Sequence, residues 1–499
     1  MKRKKLFRVI EGAAFCALLV CVIAALSWGL ERKASVSRLG PFIERAGEFD
    51  VLFVGDSHVV NDVFPMELWR DYGIASYNIA SYGNTMPVTY WTVMNALDYA
   101  DPKLIVIGVM DVDAHYKLTG SSSDVHTAFD GYPLSLTKIR AIEDLMADSY
   151  ETDDDGNYYA DMRWEYYFTL GKYHTRWNEL RMSDFGYEPN RMKGAQMAIG
   201  VANPNDYELI DGSLASSEET TGFDYLKKLI VECQDRGIGV LLVHLPYPAT
   251  QAQQEAANAV YYVAQDYGVD YIDFVYLDQV VDYQTDCYDP YSHLNPSGAL
   301  KVTDYLGRYI SQTFEIPDRR EDAGYAAWEK DYEDYLQYRQ KMLRDQGDLR
   351  SVLMLLHDAS LSACISIAPG SDAYRDEKVL RLLQNIAREH VFEDDEEVKW
   401  ADSLMPLERL DGAAERQDAY FLLVDRGGDA LITERAGETD EAFETSFGTL
   451  RYRMDGEGAS LLREDGSDCF ASAQGKSALG IQMLIVDDRT RETVAAMRF

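Results

Sequence analysis

Ser57 closes the tetrapeptide Gly55-Asp56-Ser57-His58 region directly after the apolar run Val51–Val54, and His293 lies 236 positions later in Asp289-Pro-Tyr-Ser-His293-Leu-Asn295. These types in this placing suit nucleophilic catalysis. A serine hydroxyl attacks poorly until a base takes its proton, and histidine is the side chain that does so near neutral pH. Four apolar residues in a row fit a buried central strand, and Gly55 permits a sharp turn into a helix that begins near Ser57. Ser57 then stands at the carboxyl edge of the sheet, where open α/β folds place their sites. The same residues also have a plainer reading, in which Asp56 or Ser57 only caps the helix.

The elements that must hold Ser57 and His293 are legible around them. Apolar strand candidates at Val51–Val54, Ala75–Ile79, Leu104–Val109, Gly239–Leu245 and Tyr271–Phe274 alternate with segments such as Pro87–Tyr99 and Phe223–Asp235, whose apolar residues recur at helical spacing. This alternation predicts an α/β fold, a parallel sheet covered by helices on both faces. Between about 116 and 221 the alternation breaks into turn-rich sequence dense in tyrosine and tryptophan, read as an insertion beside the site that forms either a binding wall or a packing unit. Residues 318–350 suit a solvated connecting helix. Beyond them, Ser351–Leu356, Ala363–Ile367, Tyr420–Val424, Ala430–Thr433 and Gly480–Val486 read as short strands, with a helix over Glu377–His390. The expected units are therefore 1–38, 39–317, the linker 318–350 and a β-rich accessory domain 351–499, which either binds carbohydrate or packs on the catalytic unit.

The amino terminus is a unit of its own. Lys2, Arg3, Lys4, Lys5 and Arg8 precede the uncharged stretch Gly12–Leu30, whose length as a helix, about 28 Å, approaches the hydrocarbon thickness of a bilayer. The basic cluster favours a cytoplasmic amino terminus with the body exported. A retained anchor is the preferred reading, and a cleaved signal peptide with Ala25-Leu26-Ser27 at its cleavage site is the rival. The net charge is −36. Since 1–38 carries an excess of basic residues, the body is more acidic still, and its field repels nucleic acid and anionic lipid headgroups. Six widely spaced cysteines, two of them in the anchor, offer neither a disulfide framework nor zinc-ligand spacing. No metal or cofactor is called for.

Three segments in one order, Val54-Gly-Asp-Ser57-His58, Asn78-Ile-Ala-Ser-Tyr-Gly83-Asn84 and Asp289-Pro-Tyr-Ser-His293-Leu-Asn295, together resemble the SGNH (GDSL-type) hydrolase family. The resemblance covers about residues 49–314 and is nearest to the membrane-anchored branch that includes the D-alanyl transfer protein of teichoic acid and alginate-type O-acetyltransferases. It implies a three-layer αβα, flavodoxin-like sheet. It also implies Ser57 as nucleophile, His293 as general base and then acid, Asp289 as orienting acid, and the backbone N–H groups of Ser57 and Gly83 facing the oxyanion. The sequence departs from the family twice. Gly108-Val-Met110-Asp111 lacks the asparagine whose amide completes the oxyanion hole, for which Asn84 is the candidate substitute. The orienting acid stands four residues before His293 rather than three, and Asp286 is its rival.

Further residues carry weaker signals. His58 is expected to cap or face solvent, because neighbouring side chains on a helix diverge. His244 fits a core hydrogen bond. His174 and Arg176, in the aromatic insertion, are candidates to hold a polar acyl acceptor. The expected function is that of an extracytoplasmic, single-pass membrane esterase or O-acyltransferase acting on cell-envelope or exported polysaccharide through an acyl-serine. The alternative is a catalytically degenerate scaffold that binds glycan or a membrane-bound acyltransferase.

Overall fold

A computed structural model describes residues 2–33, 38–119, 122–147, 162–186, 190–277, 280–387, 407–428, 432–455, 458–475 and 478–499. Five strands, β1 (Val51–Val54), β2 (Ser76–Asn78), β3 (Leu104–Gly108), β4 (Gly239–His244) and β5 (Asp270–Asp273), form a wholly parallel sheet in the order β2-β1-β3-β4-β5. Every residue of β1, β2 and β3 is buried. That is why β1 and β3 read as unbroken apolar runs: a parallel strand is covered on both faces. The crossover helices begin where side chains can cap them. Thr220 accepts from Phe223 N at the head of Thr221–Asp235, and Thr250 and Gln253 form a capping box at Gln251–Tyr267.

The order reverses between β1 and β3, so the crevice at their carboxyl ends is the topological switch point of the sheet. Gly55 makes the turn out of β1 possible. It has φ +145°, and a Cβ there would lie 2.8 Å from Val59 and 3.2 Å from the Gly108 backbone. The strand end and the helix Ser57–Asp62 can therefore close on each other only with glycine at that position.

Between β3 and Thr221 the insertion carries the helices Ser122–Phe129, Leu136–Leu145, Arg163–Tyr167 and Leu170–Tyr173, followed by two short 3₁₀ turns, and residues 190–220 run without helix or strand. The amino-terminal helix runs Lys2–Leu30, and within it Phe7–Leu30 is long and apolar enough to cross a membrane.

The carboxyl-terminal region is β-rich. β6 (Leu361–Ile367), β7 (Tyr420–Val424), β8 (Ile432–Ala436), β12 (Gln474–Gly475), β13 (Ile481–Asp487) and β14 (Thr493–Arg498) form a six-stranded sheet in the order β12-β14-β13-β6-β7-β8. β9 (Thr439–Thr445), β10 (Gly448–Asp455) and β11 (Gly458–Arg463) form a three-stranded antiparallel sheet. Phe421 and Tyr452 stack between the two sheets at 4.0 Å.

Three expectations are corrected here. Ser351–Leu356 is not a strand but part of the helix Leu349–Leu355, capped by Asp348; a short apolar run buried at every position reads alike in either form. The linking helix Ala326–Arg344 is not merely solvated, because Trp328, Tyr332, Tyr335, Leu336, Arg339 and Leu343 are buried along one stripe. The helix expected over Glu377–His390 spans Glu377–Ile386, and its last expected residues, 388–390, lie outside the described residues, as do 430–431 of the expected strand Ala430–Thr433.

One hydrophobic cluster runs from β1 through Trp69, Trp328 and Val352 to β6 and β13. At its centre Glu67, on the helix Pro65–Tyr72, accepts from Tyr335 Oη at 2.5 Å and pairs with Arg339, which also meets Asp358 at 2.9 Å. All four side chains are buried.

Candidate active site

Ser57 is the first residue of the helix Ser57–Asp62, with Asp56 as its N-cap accepting from His58 N. Ser57 Oγ lies 2.8 Å from His293 Nε2, and His293 Nδ1 lies 2.7 Å from Asp289 Oδ2. A carboxylate can only accept, so Nδ1 carries the proton and Nε2 is left to accept from the serine hydroxyl. Burial pulls the His293 pKa below its ordinary value, and the charge on neighbouring His58 pulls the same way, against Asp289. The ring is thus held in the form that can take a proton.

The loop that carries His293 is fixed from several sides. Asp289 Oδ1 accepts from Tyr291 N at 2.9 Å and from His293 N at 3.2 Å, so the same carboxylate folds the loop and orients the ring. Ser292 adopts φ +62°, and this compact turn lets an acid four residues before the histidine reach Nδ1. Leu294 N donates to Asp62 Oδ1 at 2.9 Å, which ties the His293 loop to the helix that begins at Ser57; burial pushes the Asp62 carboxyl well above its ordinary range. Asn295 caps the helix Pro296–Thr313 and donates to Gly200 O and Thr285 O. Asp286 stands elsewhere. It is fully buried against Lys301 Nζ at 2.6 Å and also accepts from Ser297 Oγ, away from the His293 ring.

His58 is neither a capping nor a surface residue. It is buried, with its ring stacked on His293 at 4.3 Å and 19°. Its Nδ1 lies 3.0 Å from Asp56 Oδ2 and its Nε2 lies 3.0 Å from Tyr291 O. Both partners are acceptors only, so both ring nitrogens carry protons and the ring is an imidazolium. Burial works against that charge, but the Asp56 carboxylate outweighs it and the pKa is pushed up to about 9. The i,i+1 divergence of side chains does turn His58 away from Ser57. What the sequence hid is that the histidine loop folds back over the helix, so the diverging ring meets the His293 ring instead of solvent.

In the loop after β2, Gly83 has φ +65°, and a Cβ there would lie 2.4 Å from the Asp124 carboxylate, which the insertion delivers to this turn. Asn84 is buried, and its Nδ2 donates to Gly55 O at 3.2 Å. Met110 is buried after β3, and Asp111 follows it in the left-handed region with φ +56°. His244 pairs with Asp273 at 2.9 Å inside the protein, and His115 is exposed beside Glu218. Within the insertion, His174 Nδ1 meets Gly171 O, and Arg176 bonds to Leu30 O and Asp184. Among the described residues, neither of these two shows a bond to Ser57, His293 or Asp289.

No family model matches this sequence, and no curated protein does. Among solved structures, the crystal structure of a candidate acylhydrolase from Bacteroides fragilis NCTC 9343 is similar over 57% of this chain and 99% of its own, with 11% identity and a TM-score of 0.28. A likeness of that size fixes neither fold nor activity, and the reading of the site stands on its own geometry.

Proposed function

We propose that this protein is a membrane-anchored, extracytoplasmic serine esterase or O-acyltransferase of SGNH type, acting on cell-envelope or exported polysaccharide. The observation that carries the reading is the chain of hydrogen bonds Ser57–His293–Asp289 at the carboxyl end of β1. The strand order β2-β1-β3-β4-β5 supports it, being the order of flavodoxin-like, doubly wound sheets with a site at the β1/β3 switch point. In this mechanism Ser57 Oγ attacks an ester carbonyl while its proton moves to His293 Nε2. The backbone N–H groups of Ser57 and Gly83 face the developing oxyanion. The ester C–O bond then breaks, and His293 returns the proton to the leaving alkoxide. Water or a sugar hydroxyl next gives a proton to His293 and attacks the acyl-serine; the acyl–Oγ bond breaks and His293 returns that proton to Ser57 Oγ, so hydrolysis and transfer differ only in the acceptor.

Export with the amino terminus inside is supported by the basic residues ahead of Phe7–Leu30. The exposed rings of Tyr82, Tyr288 and Tyr291, on or beside the Gly83 and His293 loops, suit the faces of a saccharide.

Incubating the detergent-solubilised full chain with p-nitrophenyl acetate and with a fluorophosphonate probe tests the proposal. Ser57→Ala should lower turnover by about 10⁴-fold or more and abolish the adduct. Equal rates in wild type and variant would remove Ser57 as nucleophile. The second reading, a scaffold that binds glycan or a membrane-bound acyltransferase without turnover, draws on Met110, which brings no amide donor to the end of β3. It predicts that Ser57 stays unlabelled in the wild type.

A further inference from the structure

Residues 174–185 of the insertion are fixed against the last turn of the amino-terminal helix. Arg176 Nη1 donates to Leu30 O at 2.5 Å, and Phe185 packs on Trp28 with ring centroids 6.2 Å apart. Lys33 bonds back to Trp28 O and lies 4.9 Å over the indole. Trp28 is two residues, about 3 Å of helix rise, from the end of Phe7–Leu30. If that helix crosses a bilayer, whatever touches Trp28 and Leu30 stands at headgroup level.

The segment is built for such a place. Trp177 is 72% exposed, Met182 87% and Phe185 50%. Tryptophan concentrates at membrane–water interfaces because its ring is apolar and its N–H polar. Beside these side chains a cavity of about 750 Å³ is lined by Arg32, Lys33, Arg176 and Arg181, together with Glu179 and Asp184. Asp184 is already tied to Arg176 at 2.7 Å, and the buried Arg176 Nε has no hydrogen-bond partner among the described residues. In a chain of net charge −36, this rim sets four basic side chains against two acidic ones, a local charge balance of the sign that suits phosphate-bearing headgroups.

We infer that residues 174–185, with Arg32 and Lys33, form a foot that inserts into the headgroup region of an anionic bilayer and sets the height of the catalytic domain above it. The inference rests on the membrane-anchor reading of Phe7–Leu30, and the test separates the two. The full chain is reconstituted in phosphatidylcholine/phosphatidylglycerol nanodiscs carrying a single environment-sensitive fluorophore at one of three positions. These are native Cys21 in the helix, with Cys16→Ala; Met182→Cys; and Tyr262→Cys, a control on the exposed face of Gln251–Tyr267. The last two are made in a Cys16→Ala, Cys21→Ala background, and the remaining four cysteines are buried.

With spin-labelled lipid, the probes at positions 21 and 182 should be quenched and that at 262 should not. Exchanging phosphatidylglycerol for phosphatidylcholine, or introducing Arg32→Glu with Arg181→Glu, should weaken quenching at 182 while leaving 21 unchanged. Quenching at 21 with none at 182 overturns the foot and leaves its apolar side chains for a protein partner. Loss of quenching at both positions overturns the anchor, and the foot with it, without bearing on Ser57.

Discussion

Removing the charge of His58 should move the pH at which the protein switches on. The two imidazole centroids are 4.3 Å apart, one ring holding two protons and the other needing to stay neutral. At that separation a unit charge opposes a second one by about 1 kcal/mol at the dielectric of water and about 4 kcal/mol at an effective value near 20. In pKa this is a depression of about 0.7 to 2.8. The His293 side chain is 16% exposed, so solvent screening places the effect toward the lower end, about one pH unit.

The groups facing the pair are Asp56, Asp62, Tyr247 and the Tyr291 carbonyl around His58, and Asp289 and Ser57 around His293. His58→Gln keeps a donor for Asp56 or Tyr291 O and removes the cation. The pKa of His293, lowered in the wild type, then rises, and because only the neutral ring accepts the Ser57 proton, the acidic limb of activity moves to higher pH. The assay is the pH dependence of kcat/KM for an activated acetyl ester, with the rate of fluorophosphonate labelling as a second reporter of the same base. The variant should lose about tenfold relative to wild type on the acidic limb and recover toward alkaline pH, whatever its plateau. A limb that stays in place, or moves to lower pH, would refute the coupling.

Asp289→Asn should cut kcat by about 10⁴-fold at little cost in stability, as when the orienting acid of a serine triad is lost. Asp286→Asn should instead lower unfolding free energy by about 3–5 kcal/mol in urea melts by removing the carboxylate charge that faces the fully buried Lys301, and a further Lys301→Met should restore much of it. Gly83→Ala should destabilise the turn by about 1–2 kcal/mol for its positive φ alone. Adding Asp124→Ala should relieve the steric part and not that backbone part, so a full rescue of melting temperature would contradict the role of φ.

How much of this was open to reading depended on what each residue faces. Strands β1, β3 and β4 announce themselves because burial on both sides leaves no polar alternation to confuse, and Ser57 and His293 follow from their place at strand and loop ends. The same total burial made Ser351–Leu356 ambiguous, since a short run with no exposed face has no period. The distinction between Asp289 and Asp286 lay in the turn at Ser292 and in the buried Lys301 that engages Asp286, neither of which composition encodes. His58 was hidden for a related reason: its partner is not on its own helix but on a loop more than 230 residues away. The density of aromatics between 116 and 221 marked a special region, but which face of it meets the amino-terminal helix depends on contacts that no local pattern carries.

The buried group formed by Glu67, Tyr335, Arg339 and Asp358 has a consequence in time. Glu67 and Arg339 are separated by 272 residues, which a ribosome adds at about 5–20 per second. For between about 15 and 55 s after Glu67 is made, the helix that holds it has neither its guanidinium nor the Trp328 surface that covers Trp69. The nucleophile end of the sheet is therefore synthesised early and completed late. In that interval the nascent amino-terminal half lacks the partners that cover Trp69 and neutralise Glu67, an apolar flank with a carboxylate in its middle.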